Sequence, residues 1–103
     1  VSSHSIISND AFISEGAHIF PGSVINANAH VGQNCIINTG SIIEHDSYIG
    51  DHTHICPGTI ICGGTKIGRN TFIGAGTCII QNIEIGDNVT VSAGSVVKEN
   101  IYS

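Results

Sequence analysis

His45 lies between two carboxylates in the segment Ile43-Glu44-His45-Asp46, and His54 follows nine residues later. An imidazole changes its protonation state near neutral pH, so it is the side chain best suited to take a proton from a nucleophile. A flanking carboxylate could hold the working tautomer and stabilise the imidazolium. We expect Asp46 to do this, with Glu44 as the second choice. Whether His45 does chemistry or is only an exposed turn residue depends on where the fold places it.

The sequence repeats every six residues from Val1 to Val97 without an insertion. Every sixth residue is a β-branched aliphatic, and the third residue after it is Gly, Asn, Asp or His. The fourth residue after it is Ser, Ala, Thr or Cys in all hexads except those with Ile83, Val89 and Ile101. β-Branched residues favour strands, whereas Gly and Asn tolerate tight corners, and a period of six fits no helix. The repeat predicts an all-β fold in which each hexad is a short strand and a corner, with the aliphatic and the small residue pointing inward.

Three hexads would close one triangular coil, so that residues 18 apart stack in neighbouring coils about 4.8 Å apart. The 103 residues then make between five and six coils of a parallel β-helix. We expect residues 1–103 to form one such domain, and this domain to be the core of a longer protein.

The residues just before each aliphatic form three outward columns, one on each side of the prism. The first column is apolar throughout: Ile6, Val24, Ile42, Ile60, Cys78 and Val96. An exposed apolar stripe of this length is typical of a subunit interface. It predicts a closed homotrimer of parallel prisms, unless another segment of the same chain covers the stripe.

Composition and charge argue against several kinds of partner. The formal net charge of −5, with only three Lys+Arg, disfavours nucleic acid and anionic membranes. No apolar run approaches the roughly 20 residues of a membrane span, and the first residues do not resemble a signal peptide. The cysteines form no CxxC motif, which indicates reduced thiols and a cytoplasmic location. They are Cys35, Cys56, Cys62 and Cys78.

Gly63 lies 18 residues after His45, within Cys62-Gly63-Gly64, and is expected to stack directly on it. A glycine above a histidine leaves an uncovered pocket with an accessible backbone N–H. A base for the nucleophile and a donor for an oxyanion are the two requirements of acyl transfer. His54 is in the third outward column, below Phe72, and could face a neighbour's cleft. Of the remaining histidines, His4 and His52 are expected to be turn residues. His18 and His30 are expected to be exposed strand residues.

The segment INTGSIIEHDSYIGDHTHICPGTIICGGTKIGRNTFIGAG resembles the hexapeptide-repeat sugar acetyltransferases. The nearest branch is the sialic-acid O-acetyltransferase family, which includes nucleotide-amino-sugar N-acetyltransferases of the bacillosamine type. The resemblance covers nearly the whole chain and implies a left-handed β-helix. Members usually carry an additional N-terminal α/β domain that binds the nucleotide-sugar.

The resemblance also implies roles for individual residues. His45 would be the general base, Asp46 would support it, and the Gly63 N–H would bind the acetyl carbonyl. His54 would lie in the same site, and Asn38 would contact the sugar. Acetyl-CoA would be the co-substrate, without a metal, and would follow the inter-subunit groove. Its expected contacts are Gly63, Gly64, Gln81 and Lys98, with Lys98 near a phosphate.

Other functions remain open at this point. A trimeric zinc carbonic anhydrase would need three imidazoles that converge on one ion. A structural or ice-binding solenoid would need an outward array of threonines, yet Thr53, Thr59, Thr65, Thr71 and Thr77 occupy the inward position. An inactive scaffold is a further alternative. The sequence does not decide between a nitrogen and an oxygen acceptor, nor does it identify the sugar or the acyl group.

Overall fold

A computed structural model describes residues 1–102 and confirms a parallel β-helix with three hexads per coil. The domain measures 33 × 21 × 20 Å. Every strand has two residues, because each hexad leaves only its outward residue and its aliphatic between two corners. The strands are β1 Ile6–Ile7, β2 Phe12–Ile13, β3 His18–Ile19, β4 Val24–Ile25, β5 His30–Val31, β6 Ile36–Ile37, β7 Ile42–Ile43, β8 Tyr48–Ile49, β9 His54–Ile55, β10 Ile60–Ile61, β11 Lys66–Ile67, β12 Phe72–Ile73, β13 Cys78–Ile79, β14 Glu84–Ile85, β15 Thr90–Val91 and β16 Val96–Val97.

The strands form three parallel sheets, which we call faces A, B and C. Face A has the order β1-β4-β7-β10-β13-β16, face B has β14-β11-β8-β5-β2, and face C has β15-β12-β9-β6-β3. Paired residues are 18 apart, as in Ile42 with Ile60. We name the corners by the faces that they join, so that residues 44–47 belong to corner AB, residues 50–53 to corner BC and residues 56–59 to corner CA. The apolar stripe of the sequence is the outward side of face A.

The aliphatics form the core that the repeat predicted. From Ile19 to Val97 every sixth residue is buried, and ten isoleucines are less than 2% exposed. The first coil differs, because it has a neighbouring coil on one side only. Ile7 and Ile13 are partly buried, and Val1 is 72% exposed, so the expectation that Val1 points inward is wrong.

The small residues of the repeat are buried as expected from Ser23 to Thr77, and their hydroxyls are satisfied. Nearer the ends of the helix Ser5, Ala11, Ala17 and Ser95 are half-buried. The Ser41 Oγ donates to the Cys56 carbonyl at 2.9 Å, and the Thr65 Oγ1 donates to the Ile80 carbonyl at 3.1 Å. Such bonds remove the cost of burying a hydroxyl. The five threonines of the repeat are all buried, so they form no outward array of the kind that an ice-binding surface needs.

Fourteen corner residues have positive φ, and their N–H groups point along the prism axis. The N–H of Asp46, for example, donates to the Ala27 carbonyl one coil below at 3.0 Å. His52, with φ of 60°, is such a turn residue, whereas His4, Asp10 and Asn100 lack positive φ. The fourteen are Asn28, Asn34, Asp46, His52, Asn70, Asn82 and Asn88, with Gly16, Gly22, Gly40, Gly58, Gly64, Gly76 and Gly94.

Truncating a central core side chain is expected to be costly. Ile55 is fully buried and stacks between Ile37 and Ile73. We expect Ile55→Ala to lower the free energy of unfolding by about 2–5 kcal/mol, because the rigid coils cannot close the cavity. Urea denaturation followed by circular dichroism measures this loss. Gln33→Ala, at an exposed corner, should change stability little, and equal effects of the two substitutions would contradict the core assignment.

Residues 1–102 contain no helix that could cross a membrane. All four cysteines are free thiols, and two of them, Cys35 and Cys56, are buried. The cytoplasmic location stays a prediction.

Candidate active site

His45 projects from corner AB, where the chain leaves β7 and turns towards β8. Its side chain is 68% exposed and that of Asp46 is 60% exposed. The His45 Nδ1 lies 3.0 Å from the Asp46 Oδ2. This contact favours the tautomer with the proton on Nδ1, which leaves Nε2 free to accept a proton. The structure therefore places Asp46, the preferred partner, on the imidazole.

Glu44 points elsewhere. The Asn26 Nδ2, one coil below, donates to the Glu44 Oε1. Glu44 therefore has its own partner, and within residues 1–102 it forms no hydrogen bond or ion pair with the His45 ring. Asn26 was not among the residues predicted from the sequence, although the 18-residue spacing between Asn26 and Glu44 could have indicated the contact.

Gly63 lies directly above the imidazole. A β-carbon on Gly63 would lie 2.7 Å from the His45 Cε1 and 2.7 Å from its Nε2, so any side chain would push the ring away. The Gly64 N–H donates to the His45 carbonyl at 3.0 Å, whereas no acceptor in residues 1–102 takes the Gly63 N–H. The free donor beside the imidazole is thus Gly63, and the Gly64 N–H is already engaged.

The remaining predicted cofactor residues lie further along corner AB. Gln81 stands 18 residues above Gly63, and Lys98 belongs to the next coil; both are exposed. Corner AB is therefore a continuous column from His45 to the last coil. The contacts of Gln81, Lys98 and Gly64 with a cofactor stay predictions.

His54 and Asn38 lie on another side of the molecule. His54 is in β9 of face C, and Asn38 directly follows β6 of the same face. In a triangular prism, face C is opposite corner AB, so one chain does not bring these residues to His45. The Asn38 Oδ1 accepts the Thr39 N–H at 2.7 Å.

The His54 ring has an unpaired nitrogen. It meets Phe72 edge-to-face, with 5.2 Å between centroids. Its Nε2 is buried, and no hydrogen-bond partner for it occurs among residues 1–102. A buried nitrogen without a partner costs free energy, so His54 is better suited to a contact that the single chain does not supply.

The prediction for His30 is wrong. It was expected to be an exposed strand residue, but it is half-buried in a stack between two other rings. Its centroid is 5.0 Å from that of Phe12 and 4.7 Å from that of Tyr48, and the rings are nearly parallel. The three rings are stacked because their residues are 18 apart and therefore lie in neighbouring coils. His18 is exposed as predicted.

The comparison with protein families agrees with the repeat. The family described as bacterial transferase hexapeptide (six repeats) matches residues 28–63 and 64–99.

The chain belongs to the bacterial transferase hexapeptide family.

Two solved structures resemble the chain closely. A variant of GDP-perosamine N-acetyl transferase from Caulobacter crescentus, in complex with CoA and GDP-perosamine, has 30% identity and a TM-score of 0.99; the match covers 100% of this chain and 49% of that one. The acetyltransferase domain of PglB from Neisseria gonorrhoeae, in complex with acetyl coenzyme A, has 31% identity and a TM-score of 0.97, over 98% of this chain and 49% of that one.

A more distant match is serine acetyltransferase isoform 3 from Entamoeba histolytica, in complex with cysteine. It has 25% identity and a TM-score of 0.67, over 85% of this chain and 33% of that one. The chain thus spans about half the length of GDP-perosamine N-acetyl transferase and of the PglB acetyltransferase domain. No curated protein matches its sequence.

Cys62, the residue before Gly63, allows a test of the local environment. Burial, together with the neighbouring Cys78 and Glu44, raises the pKa of the Cys62 thiol. A raised pKa leaves a smaller thiolate fraction at a given pH, and only the thiolate is alkylated. We expect iodoacetamide to modify Cys62 more slowly in the folded protein than in urea at the same pH, as measured by peptide mass spectrometry. Equal rates of modification in the folded and the unfolded protein would show that the fold does not protect the Cys62 thiol.

No group of three or more His, Cys, Asp and Glu side chains in residues 1–102 is arranged to hold a metal ion. The zinc alternative would need three converging imidazoles, and the two histidines of the predicted site lie on opposite sides of one prism.

Proposed function

We propose that this chain is the catalytic domain of an acetyl-CoA-dependent sugar acetyltransferase, which transfers acetyl to an amine or hydroxyl of a nucleotide-sugar. The observation that carries the proposal is the stack of Gly63 on His45, with Asp46 on the other ring nitrogen. It puts a base and a free N–H donor side by side. The similarity to enzymes with bound CoA and GDP-perosamine supports this choice of substrates.

The chemistry is a direct transfer. The His45 Nε2 takes the proton of the sugar nucleophile while that atom attacks the thioester carbonyl. The Gly63 N–H stabilises the oxyanion of the tetrahedral intermediate, and Asp46 stabilises the imidazolium. The C–S bond then breaks, the imidazolium returns its proton to the departing sulfur, and CoA leaves. No covalent enzyme intermediate forms.

The distribution of charge supports the homotrimer. The chain has three Lys+Arg and eight Asp+Glu. All of them lie on face B or on the two corners that flank it, and faces A and C and corner CA carry none. Charged residues are depleted where subunits meet, so faces A and C have the composition of buried surfaces. The charged residues are Lys66 and Glu84 on face B, Asp10, Glu44, Asp46, Lys98 and Glu99 on corner AB, and Glu15, Asp51, Arg69 and Asp87 on corner BC.

Corner CA has the residues that a threefold axis would require. All its positive-φ residues are glycines, whereas the other two corners mostly use Asn, Asp or His there. A β-carbon on Gly40 or Gly58 would meet nothing within 4 Å in the chain, so crowding inside the chain does not require glycine. The preceding residues are also small or compact: Pro21, Thr39, Pro57, Ala75 and Ala93. This thin edge suits three copies that converge on one axis.

With corner CA at the axis, face A of one copy packs on face C of the next. The outer end of face A carries His45, which then comes opposite the end of face C that carries the partner subunit's His54, whereas Asn38 begins corner CA and lies nearer the axis. The site is thus divided between two subunits, which would account for the unpaired nitrogen of His54.

The direct test is an assay of the complete protein with acetyl-CoA. Thiol release and product mass are followed with GDP-perosamine, and then with a nucleotide-sugar that offers only hydroxyls. We expect release of CoA thiol together with a product heavier by one acetyl group. Purified protein that acetylates neither acceptor class would overturn the proposal.

Gly63 offers a second test. Gly63→Ala keeps the N–H but puts a methyl group into the imidazole, and we expect kcat to fall about 10²-fold, because the base is displaced by about 1 Å. The matched control is Gly86→Ala, where the added β-carbon would lie 3.4 Å from its nearest neighbour, in the Tyr102 ring. An unchanged kcat in Gly63→Ala would show that the stack does not matter for the chemistry.

A further inference from the structure

Face B remains exposed when faces A and C pair, and it carries a depression that the catalytic proposal does not use. The depression has a volume of about 290 Å³ and lies between Tyr48, Lys66 and Glu84 on the sheet and Asp87 on corner BC. A second hollow of about 180 Å³ continues from it along the same corner, past Arg69. Tyr48 lines both, so they form one site beside an aromatic ring.

The Tyr48 ring is stacked on one side only. His30 covers one face at 4.7 Å between centroids, and the next rung above is Lys66, which has no ring. The Tyr48 side chain is 45% exposed. The stack of Phe12, His30 and Tyr48 therefore ends at Tyr48, and the exposed part of this last ring lines the depression, where an apolar ring face of a ligand could pack on it.

The floor between the sheet and the corner has no side chains. It is formed by glycines that the close approach of the coils requires: a β-carbon on Gly68 would lie 2.6 Å from the Gly86 carbonyl carbon and 2.3 Å from the Asp87 Oδ1. Gly50 occupies the same position one coil below. A ligand can consequently approach the backbone.

The polar groups of the site are of both signs. Lys66 and Arg69 are two of the three cations of the chain, and neither lies within 4.0 Å of a carboxylate in residues 1–102. Three carboxylates line the same two hollows, those of Asp51, Glu84 and Asp87. One oxygen of each already accepts a hydrogen bond, from the Gln33 N–H, the Tyr102 hydroxyl and the Arg69 N–H. The second oxygen of each takes part in no hydrogen bond within residues 1–102.

The mixture of positively and negatively charged side chains favours a neutral ligand that carries hydroxyl groups. A phosphate would meet an excess of carboxylates, and an ammonium group would meet two unpaired cations. Hydroxyl groups can bind to both kinds of side chain, because each hydroxyl donates to a carboxylate and accepts from a cation. A six-membered sugar ring adds an apolar face of C–H groups that can pack on an aromatic ring.

We propose that this depression is a carbohydrate-binding site, which holds a neutral pyranose ring against the exposed part of the Tyr48 ring. It is separate from the transfer site and does not depend on it. It would hold a glycan or a glycosylated surface beside the enzyme without any bond being made or broken.

Ligand-observed saturation-transfer NMR on the complete protein tests the proposal, with maltotriose, cellotriose and triacetylchitotriose as probes. We expect at least one probe to receive saturation through the C–H protons of one ring face. Tyr48→Ala should weaken its binding about tenfold, whereas Tyr48→Phe, which keeps the ring, should preserve it. Phe12→Ala, at the other end of the same stack, is the matched control and should bind normally.

His45→Ala separates this site from the transfer site, and it should bind the probe normally whether or not acetyl transfer occurs. Loss of the signal in His45→Ala would place the sugar in the transfer site and overturn the proposal. So would the absence of saturation from all three probes, or displacement of the bound probe by inorganic phosphate.

Discussion

Replacing His45 by glutamine is expected to lower kcat of the complete enzyme by about 10²–10⁴-fold, the usual contribution of a positioned general base. Glutamine keeps a polar side chain of similar reach but cannot take the proton of the nucleophile. The KM for acetyl-CoA should change little, since the thioester is bound by other groups. Steady-state measurement of CoA thiol release at saturating substrate gives both constants.

Two further variants show whether the loss of kcat is specific to the general base. His52→Asn is the matched control: His52 is an exposed turn histidine on corner BC, and asparagine tolerates its φ of 60°. It should leave kcat unchanged. Asp46→Asn, which also suits its corner, should lower kcat by less than His45→Gln does, because it weakens only the support of the imidazolium. A His45→Gln enzyme with near-normal kcat would refute the assignment of the base.

The fold could be predicted almost residue by residue, because every hexad repeats the same physical pattern. A β-branched residue in each strand and a residue that tolerates positive φ at each corner predict the same strand and the same corner in every hexad. Since no insertion interrupts the period, the partners 18 apart follow directly, as in Ile60 with Cys78. The exceptions are at the two ends of the helix, such as Val1, which has no second neighbour to bury it, and Asn100, which lacks positive φ.

The site was predictable as far as the repeat determines it. The position of Gly63 above His45 follows from the register alone. The direction of each side chain does not, because it depends on rotamers and on partners in adjacent coils. Glu44 and Asp46 both flank His45, and only the structure shows that Asn26 engages the first while the imidazole engages the second.

The sequence contains the clustering of charged residues on one side of the prism, but this clustering is recognised only when each residue is assigned to a face or a corner. A chain with few charged residues could distribute them evenly over the prism. Instead, two of its three faces have none, and the outward residues of face A are apolar. Composition alone indicates a surface poor in charge, whereas the coil shows which part of that surface is available for a second copy.

A carboxylate in the middle of face A is expected to separate the subunits and abolish activity together. Ile60 is 39% exposed in the single chain and lies between Ile42 and Cys78 on the apolar stripe. In a trimer, Ile60→Asp would bury three unpaired carboxylates, each of which costs several kcal/mol. Sedimentation velocity should show monomers, and thiol release should fall to the background rate, because His45 loses the partner subunit's His54.

Phe12→Asp is the control for this experiment. Phe12 is also an apolar strand residue with a largely exposed side chain, but it lies on face B, which the proposed assembly leaves in solvent. That variant should remain trimeric and active. A monomer produced by Phe12→Asp would place the interface on the wrong face. An Ile60→Asp monomer with full activity would show that one chain contains the whole site, and the division of the site between face C and corner AB would then have no role in catalysis.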